Sequence, residues 1–78
     1  MLNIVIEAIA EQLALNDEEV SVITENTKLR EDLNIDSLDA VEIAMLLEDK
    51  LDIILDEGDL DEVSTVGDLV SVVEKIQA

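Results

Sequence analysis

The chain has 78 residues, which suits one small domain (residues 1–78) that buries roughly 60% of its unfolded surface and is only marginally stable. Asp and Glu number 21 against four Lys and Arg, a formal charge of −17, and there is no histidine, cysteine or aromatic residue. Disulfides, thiolate metal sites and Ser-His-Asp catalysis are therefore excluded, and a field of this sign repels nucleic-acid phosphates and anionic membranes while attracting basic protein surfaces.

Residues from Leu2 to about Leu15 place Ile6, Ile9 and Leu13 at helical spacing, with Glu7 and Glu11 elsewhere around the axis. The run has no basic leader, and those glutamates interrupt it. A core helix is expected rather than a signal peptide or membrane span, in a cytoplasmic protein. Asn16 to Glu19 suits the end of that helix. Residues 20–36 hold no sustained period. Val20, Ile23, Leu29 and Leu33 are spaced like anchors that pin a long loop, and such loops are often functional. A second helix is expected from Asp36 or Ser37 to about Lys50, with Asp36 as N-cap and Asp39 in the first turn. A short acidic piece follows at Glu57 to Asp61. Thr65 then caps a last helix, with Asp68 as its reciprocal partner and a stripe of Val66, Leu69, Val70, Val73 and Ile76. With 49% apolar residues the chain should fold. The expected class is all-α, a small three-to-four-helix bundle of three main helices plus one short helix, acting as a monomer.

The second helix divides into two faces at about 100° per residue. Ala40, Ile43, Ala44, Leu47 and Leu51 form the core stripe. Leu38, Val41 and Met45 lie opposite, interleaved with Glu42, Glu48 and Asp49. Scattered surface residues are one reading of that second face. A docking surface, with apolar anchors ringed by carboxylates, is the other.

Ser37 also has two readings. It is either a residue that merely starts a helix or an attachment point, since a phosphate ester at a helix start meets free N–H groups and the positive end of the dipole. A calcium loop matches Asp32, Asn34 and Asp36 but fails at Ser37, where glycine is needed, and at Ile43, where glutamate is needed. Such carboxylates would bind divalent cations only weakly, and no dedicated metal site is expected.

The stretch DLNIDSLDAVEIAMLLEDKL, residues 32–51, closely resembles the acyl carrier protein signature, D-L-G-x-D-S-L-D followed by V-E and an acidic amphipathic helix. LDEGDLDEVSTVGDLVSVVEKI, residues 55–76, resembles the third and fourth helices of the same family. Together with the size and acidity, the resemblance covers essentially the whole chain. It implies one acyl carrier domain over residues 1–78, a carrier and not an enzyme. Ser37 would receive 4′-phosphopantetheine from coenzyme A through a separate phosphopantetheinyl transferase. The arm would hold acyl groups as thioesters for fatty acid or related biosynthesis, supplying the sulfur the polypeptide lacks. Polyketide, nonribosomal peptide and D-alanine pathways use the same attachment, and a small acidic regulatory or calcium-binding protein is the reading outside the family.

By position, Asp36, Leu38, Asp39, Val41, Glu42, Met45, Glu48, Asp49 and Glu57 match the surface offered to basic acyl-transferring, condensing and reducing enzymes. Ile43, Leu47, Leu55, Leu60 and Val63 lie near the expected acyl cleft. Asn34 stands where the family usually has glycine, and asparagine enters left-handed backbone conformations more readily than most residues.

Overall fold

The structure, a computed structural model, describes residues 1–77, apart from the side chain of Glu57. Five helices follow one another in this stretch: α1 (Leu2–Leu13), α2 (Asp17–Ser21), α3 (Ser37–Leu51), α4 (Glu57–Leu60) and α5 (Val66–Gln77). The chain is all-α, as its periodicity implies. Helix α1 packs against both α3 and α5, and the single turn of α4 leans on α5.

The spacing of apolar residues in α1 turns Val5, Ala8 and Ile9 inward. The helix stops where Ala14 takes a left-handed conformation at φ 54°, with its N–H reaching the Ala10 carbonyl. The next residues depart from expectation. Asn16 opens α2 instead of only closing α1, by a reciprocal capping box. Its side chain accepts from the Glu19 N–H at 2.8 Å, and Glu19 Oε1 accepts from the Asn16 N–H at 3.1 Å. Asparagine suits either end of a helix, so the short α2 was hidden under the end of α1. The bundle thus has three long helices and two short ones.

Val5, Ile9, Leu47, Val66 and Val73 are fully buried at its centre. Burying one such side chain contributes about 1.5–3 kcal/mol. The loop anchors Ile23 and Leu29 are buried as their spacing implies, while Val20 and Leu33 are half-buried. Ile35, not counted among the anchors, is buried as well.

Backbone hydrogen bonds stitch the long loop to the start of α5. The Leu29 N–H donates to the Ser64 carbonyl at 2.9 Å. The Val66 and Gly67 N–H groups donate to the Thr27 and Glu25 carbonyls at 2.9 and 2.8 Å. The first N–H groups of a helix lack partners within it, and here the loop supplies them. A Cβ on Gly67 would stand 2.9 Å from the Glu25 carbonyl oxygen, so glycine is what permits the close approach. The expected box at α5 is present too: Thr65 Oγ1 accepts from the Asp68 N–H, and Asp68 Oδ2 accepts from the Thr65 N–H, both at 3.1 Å. That carboxylate also accepts from the Ser64 N–H at 3.1 Å and the Ser64 hydroxyl at 3.0 Å. The backbone bond from Ser64, then that from Thr65, hold the Asp68 carboxyl below its ordinary range.

Lys50, in the last turn of α3, reaches Glu7 Oε1 at 3.1 Å and Glu11 Oε2 at 2.9 Å on α1. The hydrogen bond to Glu11, then that to Glu7, raises its pKa above the usual lysine value. No helix among the described residues is long and apolar enough to cross a membrane.

Candidate functional site

Ser37 owes its position to the residues just before it. The Lys28 N–H donates to Asp32 Oδ2 at 2.9 Å, and the Asp32 N–H returns to the Lys28 carbonyl at 3.0 Å, closing a compact turn. Asp32 is thereby engaged in a turn, and the described residues bring no group of three acidic side chains into a metal-holding arrangement. Asn34 takes the left-handed conformation at φ 56° where the family signature has glycine. This reversal lets the Ile35 N–H donate to the Leu29 carbonyl at 3.0 Å and sinks the Ile35 side chain into the core. Asp36 then extends, and its Oδ1 accepts from the Asp39 N–H at 2.8 Å as the cap of α3.

Ser37 is consequently the first residue of α3, exposed, and its hydroxyl makes no hydrogen bond among the described residues. The cap that a helix-starting serine could provide is already supplied by Asp36. Ser37 lines a hollow of about 310 Å³ together with Arg30, Ala40, Val41, Leu60 and Asp61. Arg30 was not singled out from the sequence, because its loop has no periodicity to say which way residue 30 faces.

The outer face of α3 continues from Ser37. Leu38 is 68% exposed, Val41 43% and Met45 58%, values far from those of core residues. Asp36 and Asp49 are exposed and Asp39 is half-buried. Besides the capping Asp36, two more of the expected carboxylates have internal duties. Glu42 accepts from the Gln12 side-chain amide, and Glu48 Oε2 accepts from the Leu55 N–H at 2.9 Å, holding the segment that follows α3. The Glu57 side chain lies outside the described residues.

Beneath this face is a small apolar cavity of about 40 Å³, room for roughly three water-sized spheres. Ile43, Leu60 and Val63 line it, together with Leu29, Ile35, Ala40, Ala44 and Leu69. Leu47 is fully buried in the core and Leu55 is half-buried, and neither lines the cavity. The α3 stripe pointed to Ala40 and Ala44, but only the fold brings Ile35 and Leu29 in from the loop.

A family model described as a phosphopantetheine attachment site matches residues 3–73. An acyl carrier protein of Thermotoga maritima is 43% identical over 67 residues, covering 86% of this chain and 79% of that protein. The chain belongs to the acyl carrier protein family. The acyl carrier protein of Wolinella succinogenes is 44% identical over 68 residues, covering 87% of this chain and 86% of its own. A solution structure from Anaplasma phagocytophilum, of a chain assigned as an acyl carrier protein, matches with a TM-score of 0.73 at 32% identity, covering 94% of this chain and 81% of that one.

The present acyl carrier protein is thus a carrier and not an enzyme, and its prosthetic group is 4′-phosphopantetheine. The exposed hydroxyl and the hollow beside it suit such a group: an unengaged oxygen to esterify, a cation nearby, and apolar walls. Membership also implies that the carrier meets a phosphopantetheinyl transferase and biosynthetic enzymes in general.

Proposed function

We propose that residues 1–78 form a single carrier domain whose Ser37 carries the phosphopantetheine arm, and that it delivers acyl intermediates to the enzymes of fatty acid or related biosynthesis. The observation that carries this is the unengaged hydroxyl at the first position of α3, inside the D-S-L signature, with the capping duty already taken by Asp36. The arm's terminal thiol is what takes the acyl group as a thioester. The chain's own part is to hold Ser37 outward on a fixed turn. It has no histidine to bring to the serine, and Asp36 is occupied by the Asp39 N–H, so the serine proton leaves to a base on the transferase.

The outer face of α3 is the docking surface for basic partners. Leu38, Val41 and Met45 are the apolar anchors, and Asp36, Asp39 and Asp49 supply charge for steering toward Lys and Arg. Glu42 and Glu48 belong to the same face but also brace the fold. The 40 Å³ cavity is the start of an acyl cleft. Its wall includes Leu60 at the end of α4, a single turn that packs against α5 and is the wall best able to yield to a chain.

Intact mass after incubation with coenzyme A and a broad-specificity transferase tests the central reading, with Ser37→Ala alongside. One arm gained by the wild type and none by the variant is expected. No gain by a folded wild type with either of two transferases, or an equal gain by the variant, would refute it.

A further inference from the structure

We propose that Arg30 is the seat of the arm's phosphodiester. Its guanidinium binds the phosphate esterified at Ser37 and holds the root of the arm in the hollow beside Leu60. The proposal rests on Ser37 being the attachment point.

Four cations stand against the net charge of −17, and among the described residues two of them, Arg30 and Lys75, make no ion pair; of these two only Arg30 lines the hollow at Ser37. Lys28 pairs with Glu31 at 3.2 Å, and Lys50 pairs with Glu7 and Glu11. Arg30 makes no ion pair and no side-chain hydrogen bond among the described residues, although Asp61 borders the same hollow. It does share that hollow with Ser37.

Nor is its root loose. The buried Leu29 precedes it, and its own carbonyl accepts from the Asn34 N–H at 3.1 Å. Its backbone is therefore part of the same turn that positions Ser37.

The chemistry of the arm supplies the missing partner. A phosphodiester carries a full negative charge at neutral pH, and at Ser37 it would stand beside the carboxylates of Asp36 and Asp39. A guanidinium offers two parallel N–H donors to a phosphate and keeps its charge at any working pH. Arg30 is also the one arginine in the chain. Beyond the phosphate, Ala40 and Leu60 would offer apolar surface to the arm's branched methyl groups. Those two residues line both the Ser37 hollow and the apolar cavity beneath it. Seating the phosphate on Arg30 thus aims the arm along the shared wall, toward the cavity rather than into open water.

The test uses the loaded full chain and phosphorus NMR, with the urea-unfolded loaded chain as reference. In the folded wild type the phosphorus signal should be displaced from the unfolded position. The Arg30 Nε–Hε signal should move between the unloaded and loaded forms. Arg30→Gln should remove at least half of the phosphorus displacement, and Arg30→Lys should retain part of it. Added salt should shrink the displacement in the wild type, because the site is exposed. Equal melting temperatures of unloaded wild type and Arg30→Gln serve as the folding control.

An unmoved Nε–Hε signal, or an undiminished phosphorus displacement in Arg30→Gln, overturns the proposal while leaving Ser37 as the attachment point. Slower loading of Arg30→Gln with an unchanged phosphorus signal also overturns it, since Arg30 would then meet the transferase instead. A chain that gains no mass at Ser37 removes the attachment reading, and this seat with it.

Discussion

Replacing Gly67 by alanine separates two opposite expectations. As an ordinary helical substitution, Gly→Ala should stabilise α5 by up to about 1 kcal/mol. The structure argues the reverse. The new methyl would lie 2.9 Å from the Glu25 carbonyl oxygen and 3.3 Å from its Cβ, and the first of these contacts is with backbone that cannot swing aside. Relief requires the loop to withdraw, which weakens the 2.8 Å bond from the Gly67 N–H to that same carbonyl. Overpacking of this kind costs about 1–3 kcal/mol, and a lost hydrogen bond about 1 kcal/mol. Set against the propensity gain, the net loss is about 2 kcal/mol. For a domain of this size that lowers Tm by roughly 8–16 °C. Thermal unfolding followed by circular dichroism at 222 nm is the assay. Gly58→Ala is the control: nothing lies within 4 Å of its added methyl, so Tm should hold or rise by a few degrees. A Gly67→Ala protein as stable as Gly58→Ala would show that the stitch between loop and α5 does not exist at this closeness.

Ala14→Gly should stabilise the fold by about 0.5 kcal/mol, because relief of left-handed strain in a non-glycine residue slightly exceeds the entropy gained by the unfolded chain. An unchanged or lowered Tm would refute this. The depressed Asp68 carboxyl makes the wild type more stable than Asp68→Asn above the ordinary carboxyl value of 3.8, an advantage that should vanish as pH falls through the lower folded value. Lys50 works in the opposite direction. Its raised pKa contributes stability that is full below 10.5, so the advantage over Lys50→Met should fade as pH rises through the folded value. Melting both pairs across pH checks these signs. Self-repulsion at −17 predicts that Tm rises with added NaCl or millimolar Mg²⁺, and an indifferent Tm would rule it out.

What the sequence revealed was mostly local. Helix α3 was legible because its cap, first-turn acid and core stripe all agree within a few residues. The capping box of α5 could be read from Thr65 and Asp68 alone. The outer face of α3 followed from angle, and the exposures of Leu38 and Met45 match it. Helix α2 was missed because Asn16 signals a helix end as readily as a helix start. Ile35 was missed because its burial depends on the left-handed turn at Asn34 and a bond to Leu29. Arg30, the Gly67 contact and the Lys50 pairs with α1 join residues distant in sequence or faces within aperiodic segments. Periodicity carries no information about either.

The stitch between residues 25–29 and 64–67 also bears on the order of events during synthesis. Helices α1 and α3 rest on neighbouring residues and can form in microseconds or less, whereas closing so long a stretch of chain is entropically slower. Leu29 is held on one side by Ser64 and on the other by Ile35, which leads directly to Ser37. The serine's turn closes on local bonds but gains its anchor at Leu29 only once Ser64 to Gly67 have emerged from the ribosome and returned to it. A transferase that reads the anchored turn would therefore find it fully braced only after nearly all of the described domain had been translated.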